Sequence, residues 1–159
     1  MTVCVAAYGG IGNPDTHSVL VTASDRMITI DDIEYEPDQT KAVQIASHTI
    51  ALLSGDMQVH AAVCPACIES LRSTPSIPLR VGDIAKRYAL EYALHRRYFA
   101  ETDLLLPLGL TINDFLTRQR DFSPEFIAEM SNRLQGYGLN AQAIIAGVDT
   151  SGPHIYKVH

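Results

Sequence analysis

Thr2-Val3-Cys4-Val5-Ala6-Ala7, the stretch directly behind Met1, sets a threonine at the head of a short apolar run. The run reads as a β-strand ending in the turn residues of Gly9-Gly10-Ile11-Gly12-Asn13-Pro14. Removal of Met1 would give Thr2 a free α-amine beside its own hydroxyl, placing nucleophile and base on one residue. A threonine hydroxyl holds its proton far above neutral pH, whereas an α-amine titrates near ~7.7–8.0 and suits general-base work close to neutrality. The pairing is one of the recognised ways to activate a hydroxyl. A threonine at position two is common, so taken alone it decides nothing.

Two charged residues downstream give it company. Ser18-Val19-Leu20-Val21-Thr22-Ala23-Ser24-Asp25 reads as a second strand ending at a charged turn, and Lys41 follows in Gln39-Thr40-Lys41-Ala42-Val43-Gln44-Ile45. A lysine near the threonine would lower the hydroxyl pKa electrostatically, and an aspartate beside that lysine would keep it charged and oriented. Either residue alone reads as an ordinary solvated charge; the ordered set carries the signal.

With the Thr2 strand, Asp25-x-x-x-Thr29, Lys41 and the run Thr49-Ile50-Ala51-Leu52-Leu53-Ser54-Gly55-Asp56, the chain resembles the N-terminal-nucleophile hydrolases of proteasome β-subunit type. Ala146-Gly147-Val148-Asp149-Thr150-Ser151-Gly152-Pro153-His154-Ile155-Tyr156 is similar to that family's late hairpin, and Thr2-x-Cys4-Val5 to its bacterial proteasome-related branch. The resemblance implies a four-layer αββα sandwich and a threonine-type peptidase. In it Thr2 attacks, Lys41 supplies positive charge, Asp25 orients Lys41, Thr29 pairs through its backbone with an extended substrate, and the place of the oxyanion-binding glycine after the fourth strand falls near Leu52, with Gly55 three residues on. It also implies self-association into a ring or open array, a separate ATPase partner, and no cofactor or metal.

Three departures stand beside it. The connection from Tyr8 to His17 is longer than the family's hairpin loop, and the region from about Pro75 to Gln135 carries more helix. The chain also stops at His159, before the glycine-rich loop, helices and second supporting aspartate of related chains, so the resemblance implies a fold lacking its C-terminal part. Two alternatives follow: a non-catalytic scaffold subunit, or an amidase of the same nucleophile class acting on small molecules.

Bulk properties fit a cytoplasmic globular protein. The 159 residues favour one domain, 1–159, with a sizeable core. A net charge of -6 argues against nucleic acid as the main partner. No apolar stretch reaches the roughly 18–20 residues of a membrane span, and the start lacks a signal peptide's basic and apolar regions. Three cysteines, an odd count, suit reduced thiols better than a disulfide framework.

Apolar runs bounded by turn residues predict strands near 2–8, 18–25, 41–46, 49–54, 140–147 and 153–158. Asp56 sits where a helix cap belongs, ahead of Val59, Ala62, Val63, Ala66, Ile68 and Leu71 at helical intervals. A second helix is predicted over about 83–100, with Ile84, Tyr88, Tyr92 and His95 on one stripe and Leu90 and Leu94 beside it. A short helix is expected near 111–118, and Ser123-Pro124-Glu125 opens another as cap, first-turn proline and acid. Strands, then helices, then strands make an α+β fold with antiparallel pairing. Both faces of the central strands should be apolar, as Val19-Leu20-Val21 and Ile50-Ala51-Leu52-Leu53 provide.

Other motifs are weaker. Cys64-Pro65-Ala66-Cys67 with His60 could share a helical face and bind a metal, although a zinc site would lack its fourth ligand; packing is the plainer reading. Gly9-Gly10-Ile11-Gly12 lacks Gly-Lys-Ser/Thr and leads into a strand, which makes it a hairpin loop and not a phosphate loop. Ser54 lacks the Gly-x-Ser-x-Gly flanks of a serine nucleophile, whereas the backbone amides of its strand-to-helix turn are better oxyanion donors. His95-Arg96-Arg97-Tyr98 is either a basic recognition patch or an exposed helix face.

Overall fold

The computed structural model describes residues 3–10, 18–25, 28–30, 33–35, 41–73 and 79–159. Its backbone forms two compact units, Met1–Glu91 with Asn140–His159, and Tyr92–Leu139. The class is α+β with antiparallel pairing throughout the sheets.

In the first unit, β1 (Cys4–Gly10) and β2 (Ser18–Ser24) form a hairpin, with Cys4 opposite Ser24 and Gly10 opposite Ser18. Two short strands, β3 (Ile28–Ile30) and β4 (Ile33–Tyr35), make a second hairpin. The main sheet has the order β5 (Ala42–Ala46), β6 (Thr49–Gly55), β7 (Ala141–Asp149), β8 (Gly152–Val158). Its central partners β6 and β7 are neighbours in space although the helices separate them in sequence. Gly147 permits this approach at one end of the ladder, since a Cβ there would lie 2.4 Å from the His48 carbonyl oxygen.

Ala51, Leu52 and Leu53 are all almost wholly buried, which requires cover on both faces of β6 because successive side chains point to opposite sides. Helix α1 (Met57–Arg72) lies against β5, β6 and β7, and the β1–β2 hairpin lies against β6, β7 and β8. Asp56 is the α1 N-cap, accepting from the Gln58 amide at 2.8 Å, and Val59, Val63 and Cys67 point into the core. The second helix, α2 (Val81–Ala100), starts two residues earlier than its periodicity suggests, because its cap comes from elsewhere. Asp149, at the end of β7, accepts from the Val81 amide at 2.9 Å.

Both faces of β6 are covered, whereas the described elements leave the outward face of the β1–β2 hairpin open. Val3, Val5 and Val21 on the outward face of the β1–β2 hairpin are exposed, and none of the described elements lies over them. The periodicity of an apolar strand reports that both faces shun water, not what covers each one.

In the second unit, α2 runs on into a π-helical turn (Glu101–Leu105) and a short 3-10 segment (Leu106–Leu108). Helices α3 (Ile112–Thr117) and α4 (Pro124–Gly136) follow. Gly109 ends this segment in the left-handed conformation at φ 70°. Thr111 and Asp114 form a reciprocal capping box on α3. Ser123 caps α4 with Pro124 in its first turn. Leu105, Phe115 and Met130 make the core of this unit, with Phe122 and Phe126 packed on Phe115. No helix among the described residues is long and apolar enough to cross a membrane.

Candidate active site

Lys41 stands immediately before β5 and is 4% exposed. An ammonium taken out of water is costly unless a carboxylate and hydrogen bonds meet it. Asp25, immediately after β2, supplies both, with Lys41 Nζ donating to its Oδ1 at 2.7 Å. The second carboxylate oxygen of Asp25, Oδ2, accepts from the Val3 amide at 3.2 Å, and the Asp25 amide donates to the Val3 carbonyl at 3.0 Å. One aspartate therefore ties the buried ammonium to the residue next to Thr2. Its hydrogen bond from Lys41, with smaller help from the Val3 amide, holds its carboxyl below the ordinary aspartate range, so the carboxylate is ionised at neutral pH.

Thr2 itself lies outside the described residues. The backbone at Thr29 belongs to β3, which pairs with β4, and its side chain is outside the described set. Of the sequence-derived residues, Asp25 and Lys41 are thus brought into direct contact, and Gly55 closes β6 a short way along the strand. The Leu53 amide donates to the Lys41 carbonyl at 2.7 Å, which fixes the lysine backbone against the strand that ends in Gly55.

Gly55 has φ 92°, a conformation that side chains rarely adopt, and a Cβ there would fall 2.1 Å from the Asn140 carbonyl oxygen. The residue type is imposed by backbone geometry whatever chemistry it serves. Two amides of the same turn are already committed: Asp56 donates to the Asn140 carbonyl at 3.0 Å, and Gln58 to the Asp56 carboxylate. An oxyanion donor at this turn must therefore be some other amide.

Cys4 lies close enough to Asp25 and Lys41 to feel both charges. Its thiol donates to the Leu53 carbonyl at 3.4 Å, and burial pushes its pKa up, with the Asp25 charge adding to the rise and Lys41 opposing it. A thiol held protonated is a poor nucleophile. A hollow of about 300 Å³ lies beside it, lined by Cys4, Leu52, Ser54, Gln142, Ile144 and Lys157.

His60, on the first turns of α1, supports the same turn from behind. It is fully buried, with Nε2 2.9 Å from the Ser54 carbonyl and Nδ1 3.3 Å from the Tyr88 hydroxyl. A donor Nε2–H satisfies the carbonyl, leaving Nδ1 to accept from tyrosine. Burial lowers the His60 pKa and keeps the ring neutral, while the Ser54 carbonyl and Asp56 pull the other way. Both ring nitrogens are occupied, and Cys64 and Cys67 are buried thiols whose pKa values burial raises, that of Cys67 to about 12. This arrangement favours packing over metal chemistry at the Cys64-Pro65-Ala66-Cys67 motif. Arg96 of the basic tetrapeptide is likewise structural, donating to the Gln135 and Tyr137 carbonyls at the C-terminal end of α4.

Sequence reasoning missed a Ser-His-Asp cluster at the β7–β8 turn. Asp149 Oδ1 accepts from the Ser151 amide at 2.8 Å and from Ser151 Oγ at 2.6 Å, and Ser151 Oγ is 2.8 Å from His154 Nε2. A triad has serine on one imidazole nitrogen and carboxylate on the other. Here the same Nε2 is also 3.3 Å from Asp149 Oδ1, and the serine proton is given to the carboxylate. The cluster clamps a hairpin and caps α2 through the same aspartate. The signal for it was Asp-x-Ser before glycine, an Asx-turn pattern.

No protein-family model matches the chain, and no curated protein matches it.

Proposed function

We propose that the chain is a threonine-type peptidase of the proteasome-like N-terminal-nucleophile kind, with Thr2 as nucleophile once Met1 is removed. The observation that carries this reading is the Asp25 carboxylate, which binds the buried Lys41 ammonium with one oxygen and the Val3 amide, next to Thr2, with the other. A surface ion pair has no need of such an arrangement. A site that must hold a cation close to the start of the chain does.

In this mechanism Thr2 Oγ attacks a peptide carbonyl, and the α-amine of Thr2, through a water, takes the hydroxyl proton. Lys41 lowers the cost of forming the alkoxide, and Asp25 holds Lys41 charged. Collapse of the tetrahedral oxyanion breaks the C–N bond, and the ammonium returns its proton to the leaving amine. Water activated by the same amine then hydrolyses the acyl ester. The residues Thr2, Asp25 and Lys41 perform these steps, with Thr29 and the Gly55 turn binding the extended substrate. The reading extends to a four-layer αββα sandwich, cytoplasmic location, self-association into a ring or array, and unfolded protein delivered by a separate ATPase.

Cleavage of a panel of short fluorogenic peptides by the full chain, with Thr2→Ala as blank, tests the proposal. Activity that disappears in Thr2→Ala supports it. Equal cleavage by both proteins overturns it, and cleavage of small amides but of no peptide would assign the chain to the amidases instead. No cleavage by either protein would favour a scaffold subunit.

A further inference from the structure

The first unit contains a cavity of about 470 Å³, lined by the opening turns of α2, the β7–β8 turn and β8. That is the size of a small-molecule site. Arg80, Lys86 and Lys157 line it, three of the chain's 12 lysines and arginines around one hollow of a protein whose net charge is -6. Among the described residues, none of these three side chains has an ion pair or hydrogen bond. Of the two acids in the lining, Asp149 is engaged, accepting from the Val81 amide, the Ser151 amide and the Ser151 hydroxyl. Asp83 has no such partner for its carboxylate among the described residues, so three cations share the hollow with one uncommitted acid. Packing fixes the walls. A Cβ at Gly82 would lie 3.0 Å from the Tyr156 hydroxyl, which sets the phenol against the first turn of α2. The His154 ring lies nearly parallel to that of Tyr156, and Ala85 and Ala89, one turn apart on α2, supply an apolar floor.

We propose that this cavity binds a phosphate monoester, its phosphoryl group held by Arg80, Lys86 and Lys157 and its organic body lying over Ala85 and Ala89. Such an ester carries roughly -1.5 to -2 charges at neutral pH and three strong acceptor oxygens, which suits several cations better than a singly charged carboxylate does. The arginine fork can grip two of the oxygens, and the lysines act as point charges on the remainder. The amides of Val81, Asp83 and Ile84 already donate to the Asp149 carboxylate and the Arg80 carbonyl, so recognition falls to the side chains and not to the helix start. A bare phosphate ion would leave the alanine floor to water. An extended polyanion would meet the repulsion of an acidic protein outside the hollow. Neither Asp25 nor Lys41 lines this cavity, and the proposal does not rest on the Thr2 chemistry.

Isothermal titration calorimetry of the full chain with phenyl phosphate, in a chloride buffer near neutral pH, provides the test. Phenyl phosphate should bind, inorganic phosphate more weakly, and benzoate more weakly than phenyl phosphate. Arg80→Gln and Lys157→Gln should each lower the affinity by roughly tenfold or more, the scale for losing a hydrogen bond to a charged group. Asp83→Asn should tighten binding, because it removes the uncommitted carboxylate, and a gain cannot come from a misfolded chain. Arg120→Gln, outside the cavity, should bind as the wild type does. Circular dichroism confirms that each variant keeps its helices. No binding by the wild type, equal affinity for benzoate or inorganic phosphate, or full affinity in Arg80→Gln and Lys157→Gln would overturn the proposal. So would the absence of a gain in Asp83→Asn, or an equal loss in Arg120→Gln, which would trace the binding to surface charge in general.

Discussion

An aspartate that touches both a buried lysine and a backbone amide gives the Lys41 site a clear asymmetry under mutation. Lys41→Met removes the charge but keeps much of the length, and leaves Asp25 partly open to water. Turnover should fall by roughly 10²–10³-fold, the scale for losing one strong electrostatic stabiliser of a developing oxyanion, while the fold survives. Lys41→Arg should also be poor, because a planar fork cannot replace a compact ammonium at a buried position. Peptide turnover with unchanged circular dichroism checks both, and wild-type rates in Lys41→Met would remove the lysine from the mechanism. His60 carries a pH signature of its own. Its folded pKa lies below the unfolded value of ~6.5, so the unfolded chain binds the proton more readily and stability falls as pH drops through that value toward the lower folded one. The urea midpoint should therefore decline below about pH 6.5, and His60→Asn, which has no such titration, should show a flatter profile there.

The turn joining β6 to α1 gathers several demands into three residues, Ser54, Gly55 and Asp56. Ser54 offers its carbonyl to His60, Gly55 adopts a backbone that excludes a side chain, and Asp56 caps the helix. Gly55→Ala should cost about 1–3 kcal/mol from backbone strain alone, with the collision against Asn140 adding to it. Chemical denaturation measures the loss, and hydrogen exchange should place it at the β6–β7 end of the sheet. A variant as stable as wild type would show that the turn can relax. Much of this turn was legible in the sequence, since Asp56 ahead of helical periodicity and a glycine before it are local signals. The carbonyl of Asn140 that forbids the Cβ was not legible, because it arrives from the residue before β7, remote in the chain.

For the whole molecule, the peptidase reading stands on the free amine of Thr2. Protein made in a cell should lack Met1, and intact mass spectrometry decides it; retention of Met1 in essentially every molecule would end the threonine mechanism. The outward face of the β1–β2 hairpin, with Val3, Val5 and Val21 exposed, also bears on assembly. Apolar strand surface of this kind attracts a covering layer or partner, so substitution of Val21 by Thr should reduce dye binding to exposed apolar surface without lowering the melting temperature appreciably.

Local chemistry was readable from the sequence alone. The α+β class, the order of elements and the caps at Asp56 and Ser123 all depend on residues within a turn of one another, which is the range over which periodicity and capping act. Neither the small β3–β4 hairpin nor the π-helical turn after α2 was foreseen, because short strands and altered helical registers leave too little pattern to count. The contact of Asp25 with Lys41 could be expected only through resemblance; the approach of the β2 end to the start of β5 was decided by the fold. So too were the cap that Asp149 gives to α2, the bond from His60 to Ser54, and the exposure of Leu90, Leu94 and Tyr98. Each joins groups whose separation along the chain carries no information about their separation in space, and only packing of the sheet and helices settles which of them meet.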